Sequence, residues 1–139
     1  PYYTAGEKID AKIQAFNSKG FSILSDASSD TIPVIYQTTP TQSVTSITGT
    51  STQTSISLSW TPPTGLVATG YSAITGYDID MSTGTGFTFK QSSTSITNVA
   101  ITGTITAGTN YSFIIYAKNM FGRGVGSSVF SIVAANVPD

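Results

Sequence analysis

The chain has 139 residues, enough for one complete domain of about 100 residues with its own core and a shorter additional segment. Charged residues make up 9% of it and the formal net charge is −1, which excludes both the basic surface of a nucleic-acid-binding protein and an acidic solvating tail. Histidine and cysteine are absent, which removes the usual general base, the thiolate nucleophile and most transition-metal ligands, so we expect no catalysis, no cofactor and no metal site.

Serine and threonine together fill almost a third of the positions. No run approaches the roughly 18 apolar residues of a membrane span, so no membrane segment is predicted. Strand faces built from hydroxyls rather than charges are common on secreted and cell-surface proteins, and Asn110-Tyr111-Ser112 is an acceptor triplet for N-glycosylation. The composition therefore predicts an extracellular or cell-surface protein, with Asn110 as the candidate glycosylation site.

The first segment of the chain recurs later. Residues 4–20, TAGEKIDAKIQAFNSKG, match residues 106–122, TAGTNYSFIIYAKNMFG, at a constant separation of 102 residues. Apolar and polar residues alternate in both copies, which predicts strands with one apolar face. In the first copy that inward face consists of Ile9, Ala11, Ile13 and Ala15. A repeat of this period indicates a small repeated domain, of which residues 1–32 are the last part.

Residues 33–40, PVIYQTTP, follow as a predicted connector. Its two prolines have no N–H to donate to a sheet and favour extended backbone. A short segment bracketed by prolines is semi-rigid, which suits a rod of tandem domains. Residues 41–139 then form the complete domain.

Seven strands are predicted in the complete domain, because short runs of period-2 alternation are separated by glycine, proline, serine and asparagine. In chain order they are residues 43–49, the run of Ile56, Leu58 and Trp60, the run of Tyr77, Ile79 and Met81, residues 86–91 with Phe87 and Phe89, the pair Val99 and Ile101, residues 111–117, and the pair Phe130 and Ile132. Seven short strands in about 100 residues are typical of an all-β, immunoglobulin-like antiparallel sandwich.

Three runs, SISLSWTPP, ITGYDIDM and ITAGTNYSFIIYAKNMFG, resemble the fibronectin type III family in order, spacing and residue type. Trp60 matches the family's buried tryptophan on strand B, Tyr77 its tyrosine on strand C, and Tyr111 the corner tyrosine of strand F. The resemblance implies a complete fibronectin type III domain at residues 41–139 and strands F and G of a truncated one at residues 1–32. In the first copy, Ile9 stands at the corner position.

Candidate interaction residues lie on one loop and one strand. Met120, Phe121 and Arg123 are predicted at the tip of the F–G loop, where the resemblance implies ligand contacts. Ile114 and Tyr116 are predicted on the outer face of strand F, where they would form an apolar patch beside other aromatic neighbours.

A second candidate loop joins strands B and C over residues 61–72. Leu66, Val67 and Tyr71 are apolar residues in what is expected to be a surface loop. Either they tuck against the end of the sandwich or they dock on the adjacent domain.

Asp78 and Asp80 lie two residues apart on one strand and therefore face the same way. Two carboxylates on one face can serve acid–base chemistry or bind calcium. Strands C and F pair in the implied fold, so Lys118 is expected opposite the aspartates, in a surface ion pair worth under about 1 kcal/mol.

The apolar face of the truncated segment needs a cover, since a two-stranded hairpin alone is marginally stable at best in water. The missing strands would lie upstream in a tandem array, or the hairpin would complete the sheet of another molecule, or copies would swap strands. The complete repeat has its own strands F and G, which favours the array.

These features predict a non-catalytic structural or adhesive module of a tandem-repeat surface protein, with filament formation as one way of assembling. Its expected partners are neighbouring domains of the same kind or copies of itself, together with other surface proteins or glycans. The alternative is an accessory spacer module of a secreted carbohydrate-active enzyme, which a flat row of exposed aromatic side chains would favour.

Overall fold

The computed structural model describes residues 3–28, 34–94 and 97–136, and within these ranges it contains strands and no helix. In chain order the strands are β1 (Lys8–Ile9), β2 (Phe16–Asn17), β3 (Gly20–Phe21), β4 (Val34–Ile35), β5 (Thr45–Ser51), β6 (Ser55–Thr61), β7 (Gly76–Ser82), β8 (Thr88–Ser93), β9 (Asn98–Thr102), β10 (Asn110–Asn119), β11 (Gly122–Gly126) and β12 (Phe130–Val133). The described part of the chain accordingly has no helix that could cross a membrane.

Strands β5 to β12 form two antiparallel sheets that pack face to face, which confirms the predicted sandwich. One sheet has the order β5-β6-β9. In the other, β7 pairs with β8 on one side and with β10 on the other, and the far edge of β10 pairs with both β12 and β11. The strand predicted at Phe130 and Ile132 is β12, while residues 122–126, which the sequence places in the F–G loop, form an additional strand, β11.

The core lies between the inner faces of the two sheets. In β6, Ile56, Leu58 and Trp60 are at most 5% exposed, while the two serines between them are exposed, as the alternation predicts. In β10, Phe113 and Ile115 are fully buried against them. This burial is the main favourable contribution to folding, at roughly 1.5–3 kcal/mol for each large apolar side chain.

Two of the aromatic residues that carry the family resemblance, Trp60 and Tyr77, lie in this core. Trp60 meets the ring of Tyr77 edge-on, with 5.1 Å between ring centroids. Burial raises the pKa of Tyr77, because the charged phenolate loses its hydration there. Both residues therefore serve the fold.

Tyr111 closes the corner before β10. Its ring is 2% exposed, and its hydroxyl accepts a hydrogen bond from the amide of Thr106 (2.9 Å) and donates one to the carbonyl of Thr104 (3.2 Å). The segment that crosses between the sheets is therefore tied to the start of β10, as expected for a tyrosine corner.

The N-terminal residues form a separate two-part hairpin. Strand β2 pairs with β3, and β1 pairs with β4 through Lys8 opposite Ile35 and Ile9 opposite Val34. Two residues of the predicted connector therefore extend this hairpin. Pro33, the first residue of that connector, lies outside the described residues.

Replacing Tyr111 by phenylalanine keeps the buried ring but removes both hydrogen bonds of the corner, and it leaves the amide of Thr106 without its partner. We expect Tyr111→Phe to lower the free energy of unfolding by about 1–2 kcal/mol, measured by urea denaturation. Tyr116→Phe is the matched control, since among the described residues its hydroxyl has no hydrogen-bond partner, and it should stay within about 0.5 kcal/mol of the native protein. Equal losses in the two variants would contradict a structural role for the corner.

Candidate functional site at the joint between the hairpin and the sandwich

The N-terminal hairpin reproduces the geometry of strands β10 and β11. The amide of Ile13 donates to Oγ of Ser25 (3.0 Å), and the amide of Ser25 donates to the carbonyl of Ile13 (2.9 Å). In the sandwich, Ile115 and Ser127 exchange the same two bonds, each at 3.0 Å. Ile115 lies 102 positions after Ile13, and Ser127 lies 102 positions after Ser25. The repeat therefore extends beyond residues 20 and 122, where the matching segments of the sequence end.

The hairpin differs from its counterpart in burial. Ile13 is 77% exposed, whereas Ile115 is fully buried, and Ala11 and Ala15 are exposed as well. In the sandwich the corresponding face lies on the three-stranded sheet. The described residues supply no such sheet to the hairpin, and the assignment of residues 1–32 as strands F and G of a preceding domain stays a prediction.

The connector between the two parts is held by the sandwich. The amide of Thr38 donates to the carbonyl of Gly70 (2.9 Å). The side-chain NH₂ of Asn119, a residue only 4% exposed, donates to the carbonyls of Thr38 (2.7 Å) and Thr69 (3.0 Å), and its oxygen accepts from the amide of Phe121 (2.9 Å). One buried carboxamide thus joins the connector, the B–C loop and the turn after β10.

Pro40 fits between the same loops. It is fully buried, and its carbonyl accepts a hydrogen bond from the amide of Val125 (3.3 Å). A Cβ atom placed on Gly124 would lie only 2.6 Å from Cβ of Pro40, so the contact requires glycine there. The last residues of the connector are therefore packed into the end of the sandwich.

Tyr71 carries the contact from the sandwich back to the hairpin. Its ring lies against the backbone of Gly6, where the ring atoms occupy the space that a Cβ on Gly6 would need. Of the three apolar residues of the B–C loop, Tyr71 therefore docks on the adjacent segment. Leu66 and Val67 do not, since they are 68% and 63% exposed.

A cluster of charges lies on the outer face of the five-stranded sheet. Nζ of Lys118 is 2.7 Å from Oδ1 of Asp78, which confirms the predicted ion pair. Partial burial by itself raises the pKa of Asp78, but hydrogen bonds from Lys118, Ser92 and Arg123 outweigh it, and the pKa is lowered overall. Asp78 is therefore held as a charged carboxylate, and its role is to form the ion pairs with Lys118 and Arg123.

Arg123 differs from its predicted place at a free loop tip. Its guanidinium pairs with Asp78 (2.9 Å) and with Asp80 (2.5 Å), and it stacks 4.3 Å from the ring centre of Tyr116. The reason is the tight turn between Asn119 and Gly122, which starts β11 at once and directs Arg123 across the sheet. These hydrogen bonds and charges raise the pKa of Arg123, which keeps its positive charge.

The other candidate residues lie at three separate places. Met120 and Phe121 are 76% and 48% exposed at the turn, next to the joint. Ile114 is half-buried beside the charge cluster, and Asn110 is exposed at the start of β10. No group of three acidic, histidine or cysteine side chains within the described ranges is arranged to hold a metal ion.

One feature of the sequence indicates the joint, although it is not part of the strand alternation. Asn17 and Asn119 are matched in the repeat, and the side-chain oxygen of Asn17 accepts from the amide of Lys19 (2.8 Å) as that of Asn119 does from Phe121. An asparagine retained in both copies at a turn indicates a specific hydrogen-bonding role. Its reach to Thr38 required the folded structure.

The family model of the fibronectin type III domain matches residues 39–133. Among solved structures, the chain is similar to the FN1–FN3 domains of chicken CNTN1, with 21% identity and a TM-score of 0.62 over 97% of this chain and 45% of that one. It is also similar to the twitchin kinase region from C. elegans, with 24% identity and a TM-score of 0.61 over 70% of this chain and 17% of that one. A fibronectin type III domain of the human KIAA0970 protein is similar as well, with 15% identity and a TM-score of 0.58 over 69% of this chain and 76% of that one. The chain therefore spans less than half of the first two structures.

Replacing Gly6 by alanine tests the contact with Tyr71. Gly6 and Gly20 both have positive φ angles, +86° and +127°, so alanine is strained at either position, but only at Gly6 would the new Cβ meet a neighbouring side chain. We expect Gly6→Ala to speed amide hydrogen exchange at Thr38 and Tyr36, whereas Gly20→Ala leaves exchange at both amides unchanged. Equal exchange in the two variants would show that Tyr71 does not hold the hairpin.

Removing the guanidinium of Arg123 leaves the carboxylate of Asp80, a residue 8% exposed, without the partner that the structure shows for it. We expect Arg123→Ala to destabilise the sandwich by about 2–3 kcal/mol in urea denaturation. Adding Asp80→Asn should recover part of that loss, because the uncompensated charge is then gone. The control Lys90→Ala, at an exposed hydrogen bond, should change stability by less than about 0.5 kcal/mol; an Arg123→Ala effect as small as this would disprove the role of the cluster.

Proposed function

Because the chain belongs to the fibronectin type III family, we propose that it is a non-catalytic module of a tandem-repeat protein, which sets the position of one domain relative to the next. Domains of this family are common structural and adhesion modules of multidomain proteins, and they typically lie in tandem with other domains. The observation that carries the proposal is the buried side chain of Asn119, which binds both the connector and the B–C loop.

A module that only separates its neighbours can have a flexible connector. Here the connector is bonded through Thr38 and packed through Pro40, and Tyr71 reaches past it to Gly6. Hydrogen bonds and proline already restrict the backbone of this connector, so it has few other conformations to adopt. The joint therefore resists bending. Stiff spacing of domains is the function that this geometry supports best.

The proposed location is the cell surface or the extracellular space. Its support is a surface rich in serine and threonine, a low content of charge, and the exposed position of Asn110 in its acceptor triplet. Surface proteins, glycans or further copies of the chain are the proposed partners, and the exposed Met120 and Phe121 at the joint are the residues proposed to contact them. Assembly of such stiff units into a filament is part of the same proposal.

The alternative of a spacer in a secreted carbohydrate-active enzyme has less support. Trp60 lies in the core, where no sugar can stack on it. The exposed rings of Phe16 and Phe21 are tilted by 44° to each other and so do not form one flat platform. A domain in an array of similar domains is therefore favoured.

The stiffness of the joint can be measured directly, because the chain contains no cysteine and two can be introduced for spin labels. Lys8 and Thr85 are exposed positions on the hairpin and the sandwich. We expect a single narrow distance distribution between labels at Lys8→Cys and Thr85→Cys, and a broader one after Asn119→Ala. The control Asn98→Ala changes an exposed asparagine of β9 and should leave the distribution narrow. A broad distribution in the otherwise native chain would disprove the proposed function.

A further inference from the structure

The turn that receives Tyr71 occurs twice in the structure. At the first turn, the amide of Glu7 donates to the carbonyl of Thr4 (3.0 Å), and Gly6 has a φ of +86°. At the second, the amide of Thr109 donates to the carbonyl of Thr106 (3.2 Å), and Gly108 has a φ of +75°. The two turns therefore present the same backbone surface.

The segment that pairs with each turn is also equivalent in the two copies. The amide of Gly6 donates to the carbonyl of Tyr36 (2.9 Å), and that of Gly108 donates to the carbonyl of Ala134 (2.9 Å). Tyr36 and Ala134 are thus equivalent, and counting onward from them places Pro138 in the sequence where Pro40 stands. In each copy, the residue that accepts the hydrogen bond from the turn glycine is followed four positions later by a proline.

From these correspondences we infer that the turn at Gly108 is a second docking surface, whose occupant is the B–C loop of a following unit of the same kind. The ring equivalent to that of Tyr71 would lie on Gly108 as Tyr71 lies on Gly6. This inference rests on the joint proposed above as the function, and it extends that joint from one boundary to a repeating one.

Within the described part of the chain, the side chain of Asn136 lies on that surface. Oδ1 of Asn136 lies 2.6 Å from the position that a Cβ on Gly108 would take. Asn136 corresponds to Thr38, the connector residue whose carbonyl Asn119 binds at the first joint. Its side chain is flexible and lies at the edge of the turn, so it can rotate away when the aromatic ring docks.

A repeated joint fixes more than distance. If each unit docks on the preceding one through the same turn, the same connector and the same tyrosine, each boundary applies the same rotation and translation. Identical head-to-tail contacts between units that do not close on themselves generate a regular helical rod.

The test uses the complete chain with an added copy of residues 41–139 joined after Pro138. The first joint carries spin labels at Lys8 and Thr85, as above. In a second sample the labels are at Asn110, which corresponds to Lys8, and at Thr85 of the added copy. We expect the same narrow distance distribution in both samples.

Two variants show whether Gly108 is the surface. Gly108→Ala should cause loss of the narrow distribution at the second joint alone, and so should Tyr71→Gly in the added copy. The control is Gly103→Ala, since Gly103 has a φ of +81° but no atom of the described residues lies within 4 Å of a new Cβ. Circular dichroism of the chain without the added copy checks that each variant folds.

A narrow first joint with a broad second joint would overturn this inference and leave the proposed function intact. A broad first joint would overturn both. A narrow second joint that Gly108→Ala and Tyr71→Gly leave unchanged would also overturn the inference, because the units would then be held by another contact.

Discussion

Strand β10 is bonded along both edges, and the rest of the structure depends on this constraint. One edge pairs with β7 over seven residues, and the other is shared by β12 and β11. Because both edges are fixed, Phe113 and Ile115 point into the core while Tyr116 and Lys118 face the charge cluster. Its second residue, Tyr111, supplies the corner hydroxyl, and its last residue, Asn119, holds the connector. The core, the outer face and the joint are therefore positioned by one strand.

The N-terminal hairpin separates the contribution of hydrogen bonds from that of burial. Ile13 and Ser25 exchange the same bonds as Ile115 and Ser127, so the local sequence is enough to specify the pairing. What differs is the cover over the apolar face. Hydrogen bonds contribute about 1 kcal/mol each in net terms, because unfolded backbone groups bond to water instead. The residues of the N-terminal hairpin are enough to specify its pairing, but the hairpin needs a second sheet over its apolar face to be stable.

The sequence predicts the strands, whose apolar and polar residues alternate, and does not predict the contacts that depend on loop conformation. Alternation identifies the strands, and the pairing of strands C and F is enough to place Lys118 beside Asp78. The bonds of Asn119 join residues 81 and 50 positions apart, and they depend on the positive φ angles of Gly70 and Tyr71. No periodic pattern contains such angles. The position of Arg123 differs from the prediction for the same reason, since the length of a turn decides which way the next side chain points.

The proline at the end of the connector follows from the burial of the joint. Thr38 has both backbone groups bonded, its amide to Gly70 and its carbonyl to Asn119. Pro40 is buried two residues later, and its carbonyl is bonded to Val125. Any other residue at that position would bring an additional N–H into the packed end of the sandwich, where an unpaired donor costs about 1–3 kcal/mol. Proline has no N–H to satisfy, so the residue that the sequence marks as a break in the sheet is the one whose backbone can be buried at the boundary.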